Sequence, residues 1–244
     1  MKRFNIIHER SANKVGVDGV LAGAWCDIPA GAERILDAGC GCGLIALMLA
    51  QRTETAEILG IDIDEQAVEE ARANADASPW GDRLEMRTLD ISRLIEEVKQ
   101  GETERFDLIV SNPPFFHSGV EQPEGARMMA RHAGGLSPER LIESAPVLLR
   151  EDGRLAFIAE YSSTERLLRL AGQCELVTER TCIVAGNPQA HPKRTLFEMR
   201  LISPTQSERV EETIEERLTI ENAPGEYTDD YRRLCKPFYI IFDD

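Results

Sequence analysis

The chain is poor in the residues that build metal centres, membrane spans and polyanion coats. Its 244 residues include only four histidines and six cysteines. The cysteines are Cys26, Cys40, Cys42, Cys174, Cys182 and Cys235, and of these only Cys40 and Cys42 are neighbours. No histidine joins them at ligand spacing, so no metal is expected, and the thiols read as free in a reducing compartment. Long hydrophobic runs are also missing. The longest, over 44–50, falls far short of the roughly 20 residues that span a bilayer. The opening Met1-Lys2-Arg3-Phe4-Asn5-Ile6-Ile7-His8-Glu9-Arg10 returns to charge before an apolar segment of signal-peptide length can form. No contact with a membrane is expected, and a cytoplasmic location is. Positive charge is scarce too: 28 Lys and Arg stand against 43 Asp and Glu, a net charge of −15. A general nucleic-acid coat is thereby excluded, because phosphate binding is driven by clustered cations, whereas a local basic rim remains compatible. The late acidic run Glu208-Arg209-Val210-Glu211-Glu212-Thr213-Ile214-Glu215-Glu216 reads as a solvated face.

What is present is an alternation of short apolar strands and helices. Strands are expected over 34–37, 57–62, 83–89, 106–110 and 154–160. Helices are expected over 44–52, 65–77, 138–149 and 164–172, the second of them ended by Ser78-Pro79. Such alternation predicts an α/β fold with a doubly wound, mostly parallel sheet. Two β-rich stretches, 176–184 and 195–202, flank the proline-broken loop 186–194 and are expected to add an antiparallel hairpin at the sheet edge. A strand-like segment, 238–242, closes the chain. With no repeat, low-complexity tract or linker, one unit is expected over 1–244: an N-terminal segment 1–32, a core 33–203 and a C-terminal extension 204–244.

The first functional signal is Asp37-Ala38-Gly39-Cys40-Gly41-Cys42-Gly43, directly after a strand and before a helix. Glycines at alternate positions let backbone approach a ligand closely, and the loop amides and helix N-terminus then face it. The spacing is Gly-x-Gly-x-Gly and not the Gly-x-Gly-x-x-Gly of dinucleotide enzymes, which favours S-adenosylmethionine over NAD. Asp62, at the end of the second strand, can accept hydrogen bonds from both hydroxyls of a ribose. Asp64 reads instead as the N-cap of the helix that follows. Asp90, ending the third strand, can accept from an exocyclic amine of adenine.

The second signal is Ser111-Asn112-Pro113-Pro114-Phe115. A conjugated amine is a poor nucleophile because its lone pair is delocalised; a site accepting both of its N–H bonds favours the form whose lone pair points at a methyl donor. Asn112 offers a side-chain carbonyl, and Pro113 a backbone carbonyl in a stiff Pro-Pro pair that carries no competing N–H. Phe115 can stack on a planar base displaced from its neighbours, a contact worth about 1–3 kcal/mol. Donor loop and acceptor motif together predict methyl transfer from S-adenosylmethionine to a planar nitrogen.

On these residues the chain resembles a class I S-adenosylmethionine-dependent methyltransferase of the Asn-Pro-Pro-aromatic group. Within that group it is similar to the bacterial tRNA1(Val) adenine-N6 methyltransferase family, which modifies adenine 37 beside the anticodon. The likeness runs through Lys14-Val15-Gly16-Val17-Asp18-Gly19-Val20-Leu21, Gly23-Ala24-Trp25, Leu36-Asp37-Ala38-Gly39 and 44–52. It continues in Ser78-Pro79-Trp80, the Asn112 motif, Arg127-Met128-Met129-Ala130-Arg131 and Phe238-Tyr239. The resemblance implies a seven-stranded, Rossmann-like sheet and a segment around Lys14 packed over the cofactor. It further implies a donor site including Lys14, Asp37, Gly39, Gly41, Gly43, Asp62, Asp90 and Asn112, and an acceptor site of Asn112, Pro113 and Phe115. The substrate implied is tRNA, with Arg127, Arg131, Lys193 and Arg194 as candidate contacts, although each Arg reads equally as a surface ion pair. Val17 departs from the family's usual Thr, and Phe115, where Tyr is common, keeps stacking and loses a hydroxyl. Other acceptors suit the same chemistry: a protein glutamine amide or guanine N2 of ribosomal RNA. A non-catalytic cofactor- or RNA-binding adaptor is opposed by the intact Asn112, Pro113 and Pro114, and a NAD-dependent oxidoreductase by the loop spacing.

Overall fold

The computed structural model describes residues 1–9, 16–114, 135–202 and 212–242. Helix α1 (Val17–Trp25) precedes a regular alternation: β1 (Arg34–Ala38), α2 (Leu44–Arg52), β2 (Glu57–Asp62), α3 (Glu65–Asp76), β3 (Leu84–Thr88), α4 (Ile91–Gln100) and β4 (Phe106–Ser111). Then come α5 (Pro138–Leu148), β5 (Leu149–Glu160), α6 (Thr164–Gln173), β6 (Leu176–Ala185), β7 (Arg194–Leu201) and β8 (Ile214–Thr219). A two-stranded ribbon of β9 (Glu221–Ala223) and β10 (Glu226–Tyr227) and helix α7 (Asp229–Cys235) complete the chain.

The main sheet has the order β3-β2-β1-β4-β5-β7-β6-β8. β1 pairs in parallel with β2 and β4, and β2 with β3; β5 continues the parallel set beside β4. β7 runs antiparallel between β5 and β6. The sheet therefore carries one strand more than expected, and its antiparallel member is interior. The reason lies in the extension, where β8 adds in parallel to β6, from Arg180↔Ile214 to Ala185↔Thr219, and covers what would otherwise be an open edge.

Both faces of the sheet are covered. On one side α1, α2, α3 and α7 bury Leu21, Met48, Val68 and Tyr231; on the other α4, α5 and α6 bury Leu94, Ile142 and Leu167. This two-sided burial is why the central strands read as continuous apolar runs. The first and last stretches of the chain share the first of these cores, through Phe4, Trp25, Cys235 and Phe238.

Two local readings change. Helix α4 occupies a stretch for which no helix was expected; its Ile91 and Leu94 are buried and Ile95 and Val98 half-buried, the spacing of an amphipathic helix. The closing segment expected to be strand-like ends in a 3₁₀ turn, Ile240–Phe242. Phe242 packs in an aromatic group with Tyr227, Tyr231 and Tyr239, and Phe238 is buried in the same core, while Ile240 and Ile241 stay exposed; a strand would instead place 238, 240 and 242 on one face.

Candidate active site

The strand order reverses between β1 and β4: the chain moves outward from β1 through β2 to β3, then crosses back to β4. Ligand crevices in open α/β sheets form at such switch points, outside the carboxyl ends of the strands. Ala38 is registered with Ser111, Asp62 lies opposite Thr88, and Ala38 opposite Ile61. The residues that follow, Asp90, Asp62, Gly39 and Asn112, thus emerge side by side from β3, β2, β1 and β4. At about 4.8 Å per strand step they span on the order of 14 Å.

The glycine loop is held from three sides. Gly39 and Cys40 donate their N–H groups to the Ile61 carbonyl at 2.8 and 2.9 Å, and Gly41 N–H donates to Asp62 Oδ2 at 2.9 Å. Gly39, Gly41 and Gly43 have φ of +72°, +51° and +84°, a region that favours glycine. Packing distinguishes them. A Cβ on Gly39 would reach Leu136 Cδ2 at 2.8 Å and one on Gly43 would reach Ala71 Cβ at 3.3 Å, whereas one on Gly41 meets nothing within 4 Å among the described residues. Gly41 is the loop residue with an open side.

Asp37 supports this loop from behind. Gly43 is the N-cap of α2 and has no side chain to satisfy the first-turn amides; the Asp37 carboxylate does so instead, accepting from Ala46 N at 2.9 Å through Oδ2. It is fully buried, its Oδ1 has no hydrogen-bond partner among the described residues, and burial, assisted by the nearby Asp62 charge, pushes its pKa up to about 7.

Asp62 also receives Asp64 N–H on Oδ1 at 3.0 Å, so each of its oxygens takes one backbone donor and keeps a further lone pair toward the cleft. Asp64 caps α3 as expected, accepting from Gln66 and Ala67. Asp90 holds a second cap that the sequence reading did not assign: its Oδ1 accepts from Ser92 N at 2.7 Å at the start of α4 and from Arg140 Nη2 at 3.2 Å. Among the described residues both bonds fall on Oδ1, which leaves Oδ2 as the oxygen for any ligand.

Asn112 follows β4 at the switch point. Ser111 Oγ donates to the Ala38 carbonyl at 2.6 Å, tying the end of β4 to the start of the glycine loop. Asn112 Oδ1 is buried and, among the described residues, has no hydrogen-bond partner. A buried acceptor without a donor is costly, about 1–3 kcal/mol, and marks a place where a donor from outside the chain fits. Pro113 is buried and Pro114 exposed.

Lys14, Phe115, Arg127 and Arg131 lie outside the described residues. Lys193 is exposed, with its backbone N–H bonded to the Val184 carbonyl. Arg194 donates through Nε to Asp18 Oδ2 of α1 at 2.8 Å and through Nη1 to the Lys193 carbonyl. It is an ion-pair partner joining β7 to α1.

Comparison with known proteins agrees with this geometry. The model of the methyltransferase small domain family matches residues 27–184. A Porphyromonas gingivalis protein named tRNA1(Val) (adenine(37)-N6)-methyltransferase is 45% identical over 98% of this chain and 93% of its own length. One of the same name from Flavobacterium psychrophilum is 39% identical over 98% of this chain and 97% of its own. The chain belongs to the tRNA1(Val) (adenine(37)-N6)-methyltransferase family. Membership makes it a methyltransferase with S-adenosylmethionine as its cofactor, the donor that the glycine spacing favours. The fold agrees as well: a solved structure from Agrobacterium tumefaciens described as a predicted O-methyltransferase superposes with TM-score 0.65 at 20% identity, covering 90% of this chain and 96% of that one.

Three residues of this methyltransferase's site escaped the sequence reading. Arg140 reaches Asp90 from α5, a contact across 50 positions of sequence. Ile63 is 58% exposed between Asp62 and Asp64, an apolar side chain left bare at the cleft mouth. Asn74 sits on the buried face of α3 with Ala67, Ala71 and Ala75. An amide at a core-facing position of an alanine-rich helix was the available signal.

Proposed function

We propose that this methyltransferase transfers the methyl of S-adenosylmethionine to the N6 amine of adenine 37 in tRNA1(Val), acting in the cytoplasm as one unit over 1–244. The observation that carries the reading is the buried Asn112 Oδ1 beside the glycine loop, which has no hydrogen-bond partner among the described residues. The relatives' shared name, at 39–45% identity over nearly the full chain, supplies the acceptor.

The cofactor fits the residues present. Gly41 has an open side, Asp62 keeps lone pairs for the ribose hydroxyls, Ile63 offers an apolar face to the base, and Asp90 Oδ2 an acceptor for its amine. Asp37 acts through the loop, by fixing the α2 N-terminus. The bound sulfonium supplies an electrophilic methyl. Asn112 Oδ1 accepts one N–H of the target amine, and the Pro113 carbonyl accepts the other, so the amine lone pair is turned out of conjugation toward the donor side. Pro113 and Pro114, without N–H groups, offer no competing donor. Phe115 supplies a stacking face, and Lys14 covers the donor. The chemistry is positional; effective molarities on the order of 10⁵ M are accessible to such alignment without a covalent nucleophile. With a net charge of −15, RNA docking is local, through Arg127, Arg131, Lys193 and Arg194.

The test is transfer of labelled methyl to total tRNA lacking this modification, followed by nucleoside mass spectrometry. N6-methyladenosine confined to one valine tRNA is the expected product. Transfer to ribosomal RNA or to a protein glutamine instead would overturn the acceptor and keep the chemistry. Asn112→Ala is expected to lower turnover by several orders of magnitude with cofactor affinity nearly unchanged.

A further inference from the structure

Asn74 is 2% exposed on α3 and uses its whole side-chain amide. Its Oδ1 accepts Ile7 N–H at 2.8 Å, and its Nδ2 donates to the Ile7 carbonyl at 2.8 Å and to the Cys42 carbonyl at 2.9 Å. The pair of bonds with Ile7 copies what one strand residue exchanges with a partner in an antiparallel ladder. The third bond lands inside the glycine loop. We propose that Asn74 is a positioning residue that joins the N-terminal segment to the cofactor loop and so sets the loop shape that S-adenosylmethionine meets.

One peptide unit carries this coupling. The peptide between Cys42 and Gly43 lies in a loop where Gly41 and Gly43 have positive φ, and on its Gly43 side no Cβ resists rotation of the peptide plane. Its N–H is held by the Cys40 carbonyl at 2.8 Å and its C=O by Asn74. Two anchors define the plane of that peptide, and loss of one releases it. The peptide also opens α2, because Gly43 is the helix N-cap, so its orientation aims the first amides of the helix. Asn74 is in turn immobilised by Ile7. The N-terminal segment is itself fastened elsewhere: Lys2 N–H donates to the Phe238 carbonyl at 2.9 Å, and Phe4 packs edge-on to Trp80 with ring centroids 6.1 Å apart. The first nine residues thereby brace the donor loop through a single amide.

The experiment measures S-adenosylmethionine affinity of the full chain by calorimetry, with no acceptor present, so its result is independent of which nucleotide is methylated. The variants are Asn74→Ala, Asn74→Asp, Ile7→Pro and the double variant Asn74→Ala with Ile7→Pro. Asp keeps the acceptor for Ile7 N–H and puts an oxygen where both donors stood; Pro removes the Ile7 N–H at a residue 52% exposed. Both Asn74 variants are expected to bind the cofactor about tenfold or more weakly, consistent with loss of one or two hydrogen bonds. Ile7→Pro is expected to weaken binding a few-fold, and the double variant to bind no worse than Asn74→Ala alone, because Ile7 acts through Asn74. The Gly43 amide should exchange hydrogen faster in the free protein while those of β1 do not. A purely structural role would lower the melting temperature of the Asn74 variants and leave affinity within twofold, and that outcome overturns the proposal. Independent, multiplying losses from Asn74→Ala and Ile7→Pro overturn it as well. Should the Asn74 variants fail to fold, Ile7→Pro alone decides, by the same affinity and exchange readouts.

Discussion

Replacing Asp37 by Asn tests how the donor loop is held, and the structure sets the size of the effect. The carboxylate is fully buried, accepts one N–H from Ala46 at 2.9 Å and, among the described residues, leaves Oδ1 without a partner. Burial first, and the neighbouring Asp62 charge after it, raise its pKa from the ordinary 3.8 to about 7. In the unfolded chain the group ionises near its ordinary value, so between the two values the folded state binds a proton that the unfolded state has released. The protonated carboxyl is therefore a stabilising feature at low pH, and this contribution is lost as pH rises from the unfolded value through the folded one. A shift of about 3 units corresponds to about 4 kcal/mol at most between the two limits, or about 1.4 kcal/mol per pH unit in the sloping region. Asn is isosteric, can still accept from Ala46 N–H and carries no titrating proton. Urea unfolding of both proteins at a series of pH values from about 4.5 to 8 isolates the term, because every other carboxylate is common to the pair. The stability of the native protein relative to Asp37→Asn should fall steadily up to about pH 7 and then level off. A difference that is flat with pH, or one that grows in favour of the native protein as pH rises, would refute the buried, proton-holding carboxyl.

Three other outcomes follow from the same geometry. Asp62→Ala removes the acceptor of Gly41 N–H and of Asp64 N–H, and calorimetric titration should find cofactor binding weakened well before turnover at saturation falls; normal affinity would take Asp62 out of the donor site. Gly60→Ala would drive a Cβ into Met86 Sδ and within 3.2 Å of Cys40, and should cost about 1–3 kcal/mol of stability, with part recovered on adding Met86→Ala; additive losses in that cycle would contradict the contact. Glu198, 2% exposed, accepts from Asp27 N–H at 2.8 Å and pairs with Arg180, whose guanidinium lies 4.1 Å over the Trp25 ring. Glu198→Ala should lower the unfolding free energy by about 3–5 kcal/mol, and a loss below about 1 kcal/mol would show that Asp27 and Glu216 satisfy Arg180 alone.

What could be read along the chain was whatever local chemistry dictates. Alternating apolar runs and glycine turns imply a doubly wound sheet because buried parallel strands need apolar side chains on both faces. Helix α2 starts at the residue expected, since Gly43 and the apolar run after it leave one place to begin. The glycine loop and the Asn112 motif were visible because each works through neighbouring residues of one segment. Where two local signals competed, the reading went astray. Asp90 looks like a strand-end acid for a ligand and is also an N-cap; with α4 unrecognised, the cap went unassigned. The aromatic residues of 238–242 suit a strand by composition, yet the segment ends in a 3₁₀ turn with Phe238 and Phe242 buried in the core that also holds Tyr231 and Cys235 of α7.

Only tertiary structure decided matters in which two distant segments share one interaction. Arg194 finds Asp18 across 176 positions, which turns an apparent surface cation into a tie between β7 and α1. Asn74 reaches Ile7 and Cys42 at once, and Ser111 reaches Ala38, because strand register and helix packing bring their backbones within hydrogen-bond distance. Sequence alone determined the chemistry on offer, a glycine loop for the donor and an Asn-Pro-Pro carbonyl pair for an amine. The switch point between β1 and β4 decided that the two lie side by side, because adjacent parallel strands fix both spacing and direction, which no local pattern encodes.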